Sequence, residues 1–282
     1  MLLKRIISGL IISCFIIVII FISEFVWFLG VCFLSYLCNN ELQKLFESKG
    51  YQHAYKLTTI FSLFIITISY LLCISYDTSD LENLQLFHNC VLTYQNLALG
   101  IGLIITFITF LFISQPRVSI ADISTTIFGI IYLGWFPSYL ILIRHLPYGA
   151  FYVFWVLLGP SFCDITAFFV GKYLGKHKFF PDISPNKTIE GAVGGLLGCT
   201  LVTVICGYFF KIIWYHSLIM GIILGIIAQV GDLGESILKR DAGKKDSGNI
   251  IPGHGGILDR LDSYILIGFI PYFYIVKFII GT

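Results

Sequence analysis

The chain has 282 residues, of which 57% are apolar and only 12% charged. An ordinary soluble domain carries about 25% charged residues, so a soluble protein, a disordered chain and a disulfide-stapled secreted module are all excluded. The formal net charge of +2 says little by itself, its distribution says more, and no nucleic-acid partner is expected.

Each helical crossing of a bilayer takes about 20 apolar residues, and its backbone must satisfy its own hydrogen bonds in lipid. Apolar runs lie near 6–23, 24–39, 57–76, 97–114, 125–143, 149–171, 191–213, 217–235 and 262–280. They predict an all-α, polytopic integral membrane protein with about nine transmembrane helices. Eight is the alternative, because 24–39 is short and nearly abuts its predecessor, as a tight hairpin or re-entrant element would. Lys4 and Arg5 before the first run resemble the start of a signal peptide. The run is long, however, no small-residue cleavage site follows and another span begins at once, so a retained anchor is expected. Nine spans consume most of the chain and leave no room for a separate soluble domain. Residues 1–282 therefore read as one membrane-embedded domain, with anchor helices in 1–125 and catalytic helices and cytoplasmic loops in 126–282. The eight cysteines show no C-x-x-C spacing and mostly sit inside apolar runs; they read as packed small residues, not as zinc or disulfide partners.

Basic residues mark the cytoplasmic side of a membrane protein. With nine spans, 15 of the 18 Lys and Arg residues fall on the side of the N-terminus, leaving only Arg144, Lys211 and Lys277 opposite. The N-terminus and the two large loops, near 172–190 and 239–262, are thus expected in the cytoplasm.

The chemistry concentrates at the end of the eighth run. Asp232 and Glu235 are three apart, on one helical face. Asp259 and Asp262 repeat that spacing where the ninth run begins, and a loop of Lys, Arg and Gly joins the two pairs. Carboxylates suit Mg²⁺, which completes its shell with water and phosphate oxygens. Lys and Arg supply charge-assisted bonds to the same phosphates, and the glycines let backbone N–H groups approach an anion. Topology signalling alone requires no acids there.

The same residues carry a family resemblance. Ser236, Lys239, Arg240, Lys245, Asp246 and Gly248, followed by Pro252 through Gly256, Asp259, Arg260 and Asp262, fit S-x-x-K-R-x(4)-K-D-x-G and P-G-H-G-G-x-x-D-R-x-D. This pattern resembles the signature of the phosphatidate cytidylyltransferase (CDP-diacylglycerol synthase) family. Asp164, Ala167, Gly171 and Lys172 resemble the family's D-x-x-A-Y-x-x-G-K stretch, with Phe168 where Tyr is usual. Ser184-Pro185-Asn186-Lys187-Thr188-Ile189-Glu190-Gly191 resembles its S-P-x-K-T-x-E-G. The likeness covers 160–262 well and the first 120 residues only as generic spans.

The resemblance implies an Mg²⁺-dependent reaction, with a second metal ion compatible. CTP and phosphatidate give CDP-diacylglycerol and pyrophosphate. Asp232 and Asp259 are the first expected metal ligands, with Asp246 and Asp262 next. Lys239, Arg240, Lys245 and Arg260 are expected at the CTP triphosphate or the lipid headgroup, and Lys187, beside Ser184 and Thr188, at the other phosphate. Ser184 and Thr188 are equally readable as helix caps, with Glu190 assisting. Asp164, about 10 Å below the cytoplasmic end of its span at 1.5 Å per residue, is a site candidate as an intramembrane acid. Pro160, one turn earlier, is expected to kink that helix. His254 between glycines is a candidate phosphate donor. Gly191, Gly194, Gly195 and Gly198 sit inside an apolar run, where helix packing is the expected use.

The expected partners are CTP, phosphatidate and membrane lipids, and a homodimer is compatible. The alternatives are another CTP-dependent lipid nucleotidyltransferase or kinase, or a transporter. The D-G-x-x-A-R motif of CDP-alcohol phosphotransferases is absent, and the acids cluster at one face instead of along a path. The expected location is a bacterial inner membrane, or an organelle membrane of bacterial descent.

Overall fold

The computed structural model describes residues 16–78, 80–112, 118–248 and 255–281. Among these, eight helices are long and apolar enough to cross a membrane. They are α1 (Glu24–Ser48), α2 (Tyr55–Ser75), α3 (Leu81–Phe112), α4 (Ile120–His145), α5 (Gly149–Leu174), α6 (Ile189–Phe209), α7 (Trp214–Asp241) and α8 (Leu258–Ile280). Residues 16–22 are also helical and belong to the first predicted span, most of which lies outside the described residues. The protein is an all-α polytopic membrane protein, as its composition requires.

Ser23 separates the two N-terminal helices, and its hydroxyl accepts the Val26 N–H at 3.2 Å as the N-cap of α1. Ile19 lies 3.6 Å from where a Cβ on Gly30 would stand, so residues 16–22 fold back along α1. The second run is not re-entrant. No Gly or Pro interrupts it between Val31 and Lys49, and the helix continues past Asn39 to Ser48, stopping at Gly50 with φ +80°.

The most enclosed helix is α4, at the centre of the N-terminal half. Inside it, a π-helical turn at Ile131–Trp135 widens the ladder, and the Ser35 hydroxyl donates to the Leu133 carbonyl there at 2.6 Å. Trp27 Nε1 donates to the Leu140 carbonyl at 3.1 Å, fixing α1 against the same helix. In the C-terminal half α6 is packed between α5 and α7. A Cβ on Gly194 would lie 2.6 Å from Val170 Cβ, and one on Gly221 would lie 2.6 Å from Thr200 Cα. The glycine stripe therefore serves close helix packing, as expected from its place in an apolar run. The α5 helix runs unbroken through the buried Pro160.

Between α5 and α6 the chain forms a feature that reading for apolar runs does not reveal. Two short antiparallel strands, β1 (Lys178–Phe180) and β2 (Ser184–Thr188), pair Lys178 with Thr188 and Phe180 with Ser184. The last span is interrupted as well: α8 is helical over Leu258–Ile265, turns at 266–268 and resumes at Phe269.

Loops assigned to one side by their basic residues do meet. Lys49 Nζ pairs with Asp241 at 3.0 Å, Lys244 Nζ donates to the Lys44 carbonyl at 2.8 Å, and Arg240 Nε donates to the Ile183 carbonyl at 3.1 Å. At the opposite end, Arg144 faces Glu24 at 3.6 Å. The Asp241 carboxylate holds the Lys49 ammonium above its ordinary pKa.

In the connector between α1 and α2, His53 packs on Phe46 with ring centroids 5.1 Å apart, and neither ring nitrogen has a hydrogen-bond partner. Burial pushes its pKa down to about 4. The unfolded chain then binds the extra proton first, so stability is held above the free-histidine value of about 6.5 and lost as pH falls from there towards 4. The thermal midpoint of wild type is expected to drop over this interval, and that of His53→Leu to drop less. Parallel curves for the two proteins would exclude His53 as the source.

Candidate active site

The C-terminal turns of α7 and the first turns of α8 run antiparallel, so advance along one helix is matched by retreat along the other. Gly231 makes this close approach feasible, because any Cβ there would collide with the Asp262 carbonyl oxygen. Asp232 is consequently brought near Asp262, and Glu235 faces Asp259 with Lys239 between them. Lys239 Nζ pairs with Glu235, one turn earlier, and with Asp259 Oδ1 at 2.7 Å. All three side chains are shielded, Glu235 completely. Of the two first expected metal ligands, Asp259 is engaged by Lys239, Ser247 and Gly256. The nearer partner of Asp232 is Asp262.

Asp259 organises the connecting loop. Its Oδ2 accepts the Ser247 N–H at 2.9 Å, the Ser247 hydroxyl at 2.9 Å and the Gly256 N–H at 2.8 Å. Ser247 and Gly256, from the two described arms of the loop, thereby meet on one carboxylate. Gly255, at φ +83°, lies so close that a Cβ would stand 2.9 Å from the same oxygen.

A second group of acids lies beside this clamp. Asp164 of α5, Asp232 of α7 and Asp262 of α8 are within electrostatic range of one another. Lys187, from β2, reaches Asp232 Oδ2 at 2.6 Å, with about 26% and 32% of the two side chains exposed. Asp164 is exposed, whereas Asp262 is buried and accepts the Ser263 N–H at 2.7 Å. Among the described residues, no three His, Cys, Asp or Glu side chains already converge as a metal cage. Hard oxygen donors drawn from three helices nevertheless match Mg²⁺, which uses one or two carboxylates and keeps the rest of its shell for water and phosphate.

The remaining expected residues that the structure describes lie on the neighbouring loops and helix ends. Lys245 and Asp246 are exposed on the loop, and Arg260 is exposed on the first turn of α8. Arg240 is tied to the Ile183 carbonyl, and more weakly to that of Lys244 at 3.4 Å. Ser184 sits at the strand pairing opposite Phe180. Thr188 is the N-cap of α6, its hydroxyl accepting the Gly191 N–H at 3.1 Å, so the capping reading of this residue holds. Glu190 does not complete that cap. It turns back to the N–H groups of Lys176 and His177, at 3.1 and 3.2 Å, and to the His177 ring. His254, with Pro252 and Gly253, lies outside the described residues.

Residues 3–278 match the cytidylyltransferase family. The chain belongs to that family. Among its relatives is a phosphatidate cytidylyltransferase of Synechocystis, 38% identical over 199 residues, which are 60% of this chain and 68% of the relative. Another, of Bacillus subtilis, is 42% identical over 151 residues, 51% of this chain and 54% of the relative. A third, of Staphylococcus saprophyticus, is 41% identical over 157 residues, 55% and 60% of the two chains. The last two alignments thus span little more than half of those proteins.

One residue of this cytidylyltransferase escaped the motif reading. Glu41 lies in the N-terminal half, which reads as anchor, yet it is fully buried against the loop between α7 and α8. It accepts the N–H groups of Ile257 and Leu258 at 3.0 and 2.8 Å, and the Ser247 hydroxyl lies 3.1 Å away. An acid just past an apolar run carries no spacing signal. Its only sequence cue is that it continues the same helix between Asn40 and Leu42.

Proposed function

We propose that this membrane cytidylyltransferase transfers CMP from CTP to phosphatidate, releasing pyrophosphate and leaving CDP-diacylglycerol in the bilayer. The observation that carries the reading is the juxtaposition, at one end of the helices, of three acids from α5, α7 and α8 with Lys187 and a basic, glycine-rich loop. The names and sequences of the relatives support it.

A phosphatidate phosphate oxygen attacks the α-phosphorus of CTP. The new P–O bond joins lipid phosphate to CMP, the bond between the α-phosphorus and its bridging oxygen breaks, and pyrophosphate takes the electron pair. A phosphate monoester has a second pKa near 6 and is largely dianionic at neutral pH, so no strong general base is required. The difficulty is to bring two polyanions together, which makes positioning and charge neutralisation the main tasks.

Asp164, Asp232 and Asp262 would hold Mg²⁺. Bound there, it would offset the charge of the triphosphate and polarise its phosphoryl oxygens. Lys187, leaving Asp232, binds the phosphatidate headgroup from the hairpin side. Lys245, Arg260 and His254 bind the triphosphate from the loop side, and Asp246 orients them. Asp259, Lys239 and Arg240 hold the loop in place. The nine-span reading of the sequence groups 15 of the 18 basic residues on this side, which supports a cytoplasmic site in a bacterial inner membrane.

The test is turnover. Purified protein in lipid nanodiscs is expected to convert labelled CTP to a lipid-soluble product only when phosphatidate and Mg²⁺ are both supplied. Absence of product from the wild-type protein under every divalent ion tried would refute the reading.

A further inference from the structure

We infer that Glu41 of α1 is a positioning residue for the loop between α7 and α8, holding the segment that carries Lys245 and Asp246 in register for the nucleotide. The inference rests on the proposed cytidylyl transfer and extends it to the half of the chain that otherwise reads as anchor.

The carboxylate is fully buried and both of its oxygens are engaged. Oε1 accepts the Ile257 N–H, and Oε2 accepts the Leu258 N–H and contacts the Ser247 hydroxyl. Ile257 and Leu258 open α8, so an anionic group stands at the positive end of that helix. Both arms of the loop pass close to Glu41, so that a side chain at either glycine would displace the carboxylate. A Cβ on Gly248 would lie 2.5 Å from Oε1, and one on Gly256 would lie 2.5 Å from Oε2.

Ser247 links this anchor to the other one. Its hydroxyl stands 3.1 Å from Glu41 Oε2 and 2.9 Å from Asp259 Oδ2. One proton serves two carboxylates, so a change at Glu41 is felt at Asp259 and therefore at Lys239. The end of α1 adds two further ties, from Lys44 to Lys244 and from Lys49 to Asp241. The contacts of Glu41 all lie on the loop, and the hairpin that carries Lys187 is reached only through Arg240, which donates to the Ile183 carbonyl at 3.1 Å and more weakly to that of Lys244 at 3.4 Å. The effect should therefore fall on the nucleotide.

The experiment compares wild type, Glu41→Gln and Ser247→Ala in nanodiscs. It varies CTP and phosphatidate separately, and digests each protein with trypsin to follow cleavage after Lys244 and Lys245. Groups that orient a site's ligands typically change affinity or activity by about 10–100-fold. Glu41→Gln is expected to lower kcat and raise KM for CTP by about tenfold each while leaving KM for phosphatidate within about twofold. Tryptic cleavage at the loop should accelerate, and protection by CTP with Mg²⁺ should weaken. Ser247→Ala should shift the same parameters less. Glu47→Gln, on the exposed face of the same helix, should match wild type.

Wild-type kinetics in Glu41→Gln would overturn the inference while leaving the cytidylyl-transfer reading intact. So would a uniform loss of active enzyme with both KM values and the loop's cleavage unchanged, since that pattern marks a merely structural acid. An inactive wild type would overturn the reading of the reaction, and the inference with it.

Discussion

Asp232→Asn is expected to slow cytidylyl transfer by about 10²–10³-fold, the scale seen when one preorganised charge-stabilising group is removed from an active site. The substitution preserves shape, so the close approach of α7 and α8 at Gly231 should survive. What changes is the charge at a carboxylate that pairs with Lys187 and lies within electrostatic range of Asp164 and Asp262. Losing one of the three weakens the attraction for a divalent cation and releases Lys187 from its 2.6 Å contact. The Mg²⁺ concentration needed for half-maximal rate should therefore rise, and KM for phosphatidate should move less than kcat. Measuring rate against Mg²⁺ for the variant separates the two effects. Normal turnover with an unchanged Mg²⁺ profile would remove Asp232 from the metal role.

The second large effect is expected at Asp259. Removing one partner of a buried ion pair typically costs about 3–5 kcal/mol, because the other charge is left without compensation. Asp259 is about 10% exposed and Lys239 about 13%, but Lys239 keeps the fully buried Glu235 as a partner, so a cost below that range is expected. Asp259→Asn also weakens the acceptor that gathers Ser247 and Gly256. The variant should lose both stability and activity, whereas Asp232→Asn should lose activity alone. Lys239→Met combined with Asp259→Asn should lose more stability than Asp259→Asn alone, because it leaves the buried Glu235 without its partner. The loss should still be less than the sum of the two single losses, because Lys239 and Asp259 pair with each other. Thermal unfolding of the two single variants and the double variant in one detergent provides the cycle. Additive losses would show that the pair is not coupled.

Much of this architecture can be read from local pattern. Long apolar runs are sufficient for helices in lipid, where no other open structure satisfies the backbone, and the loop-by-loop distribution of Lys and Arg groups the same loops that meet in space. The acids at 232, 235, 259 and 262 are legible because i, i+3 spacing places each pair on one helical face. What spacing within a helix does not supply is register between helices. That is decided by Gly231 against the Asp262 carbonyl, a contact between residues 31 apart, and it pairs Asp232 with Asp262. The hairpin of β1 and β2 is equally silent, since five- and three-residue strands of polar and aromatic residues have no period to detect. Helix ends are misjudged for a related reason. Polarity marks where a helix leaves lipid, but Asn39, Asn40 and Glu41 do not stop α1, because Asn39 and Glu41 are buried in protein. Glu41 is the sharpest case. Its burial depends on a loop more than 200 residues later in the chain.

That separation has a consequence for how the protein is made. At about 5–20 residues per second, the ribosome needs on the order of ten seconds or more after inserting α1 to deliver the start of α8. Throughout that interval the Glu41 carboxylate stands at the membrane boundary without the N–H groups that will enclose it, free to remain hydrated at the surface. Closure of the loop onto α1 is then a late event of assembly, and a chain arrested before Leu258 has a full set of anchors and no finished site. Two helices separated by more than 200 residues of chain complete the same structure, so activity reports that α8 has been made and has closed onto α1.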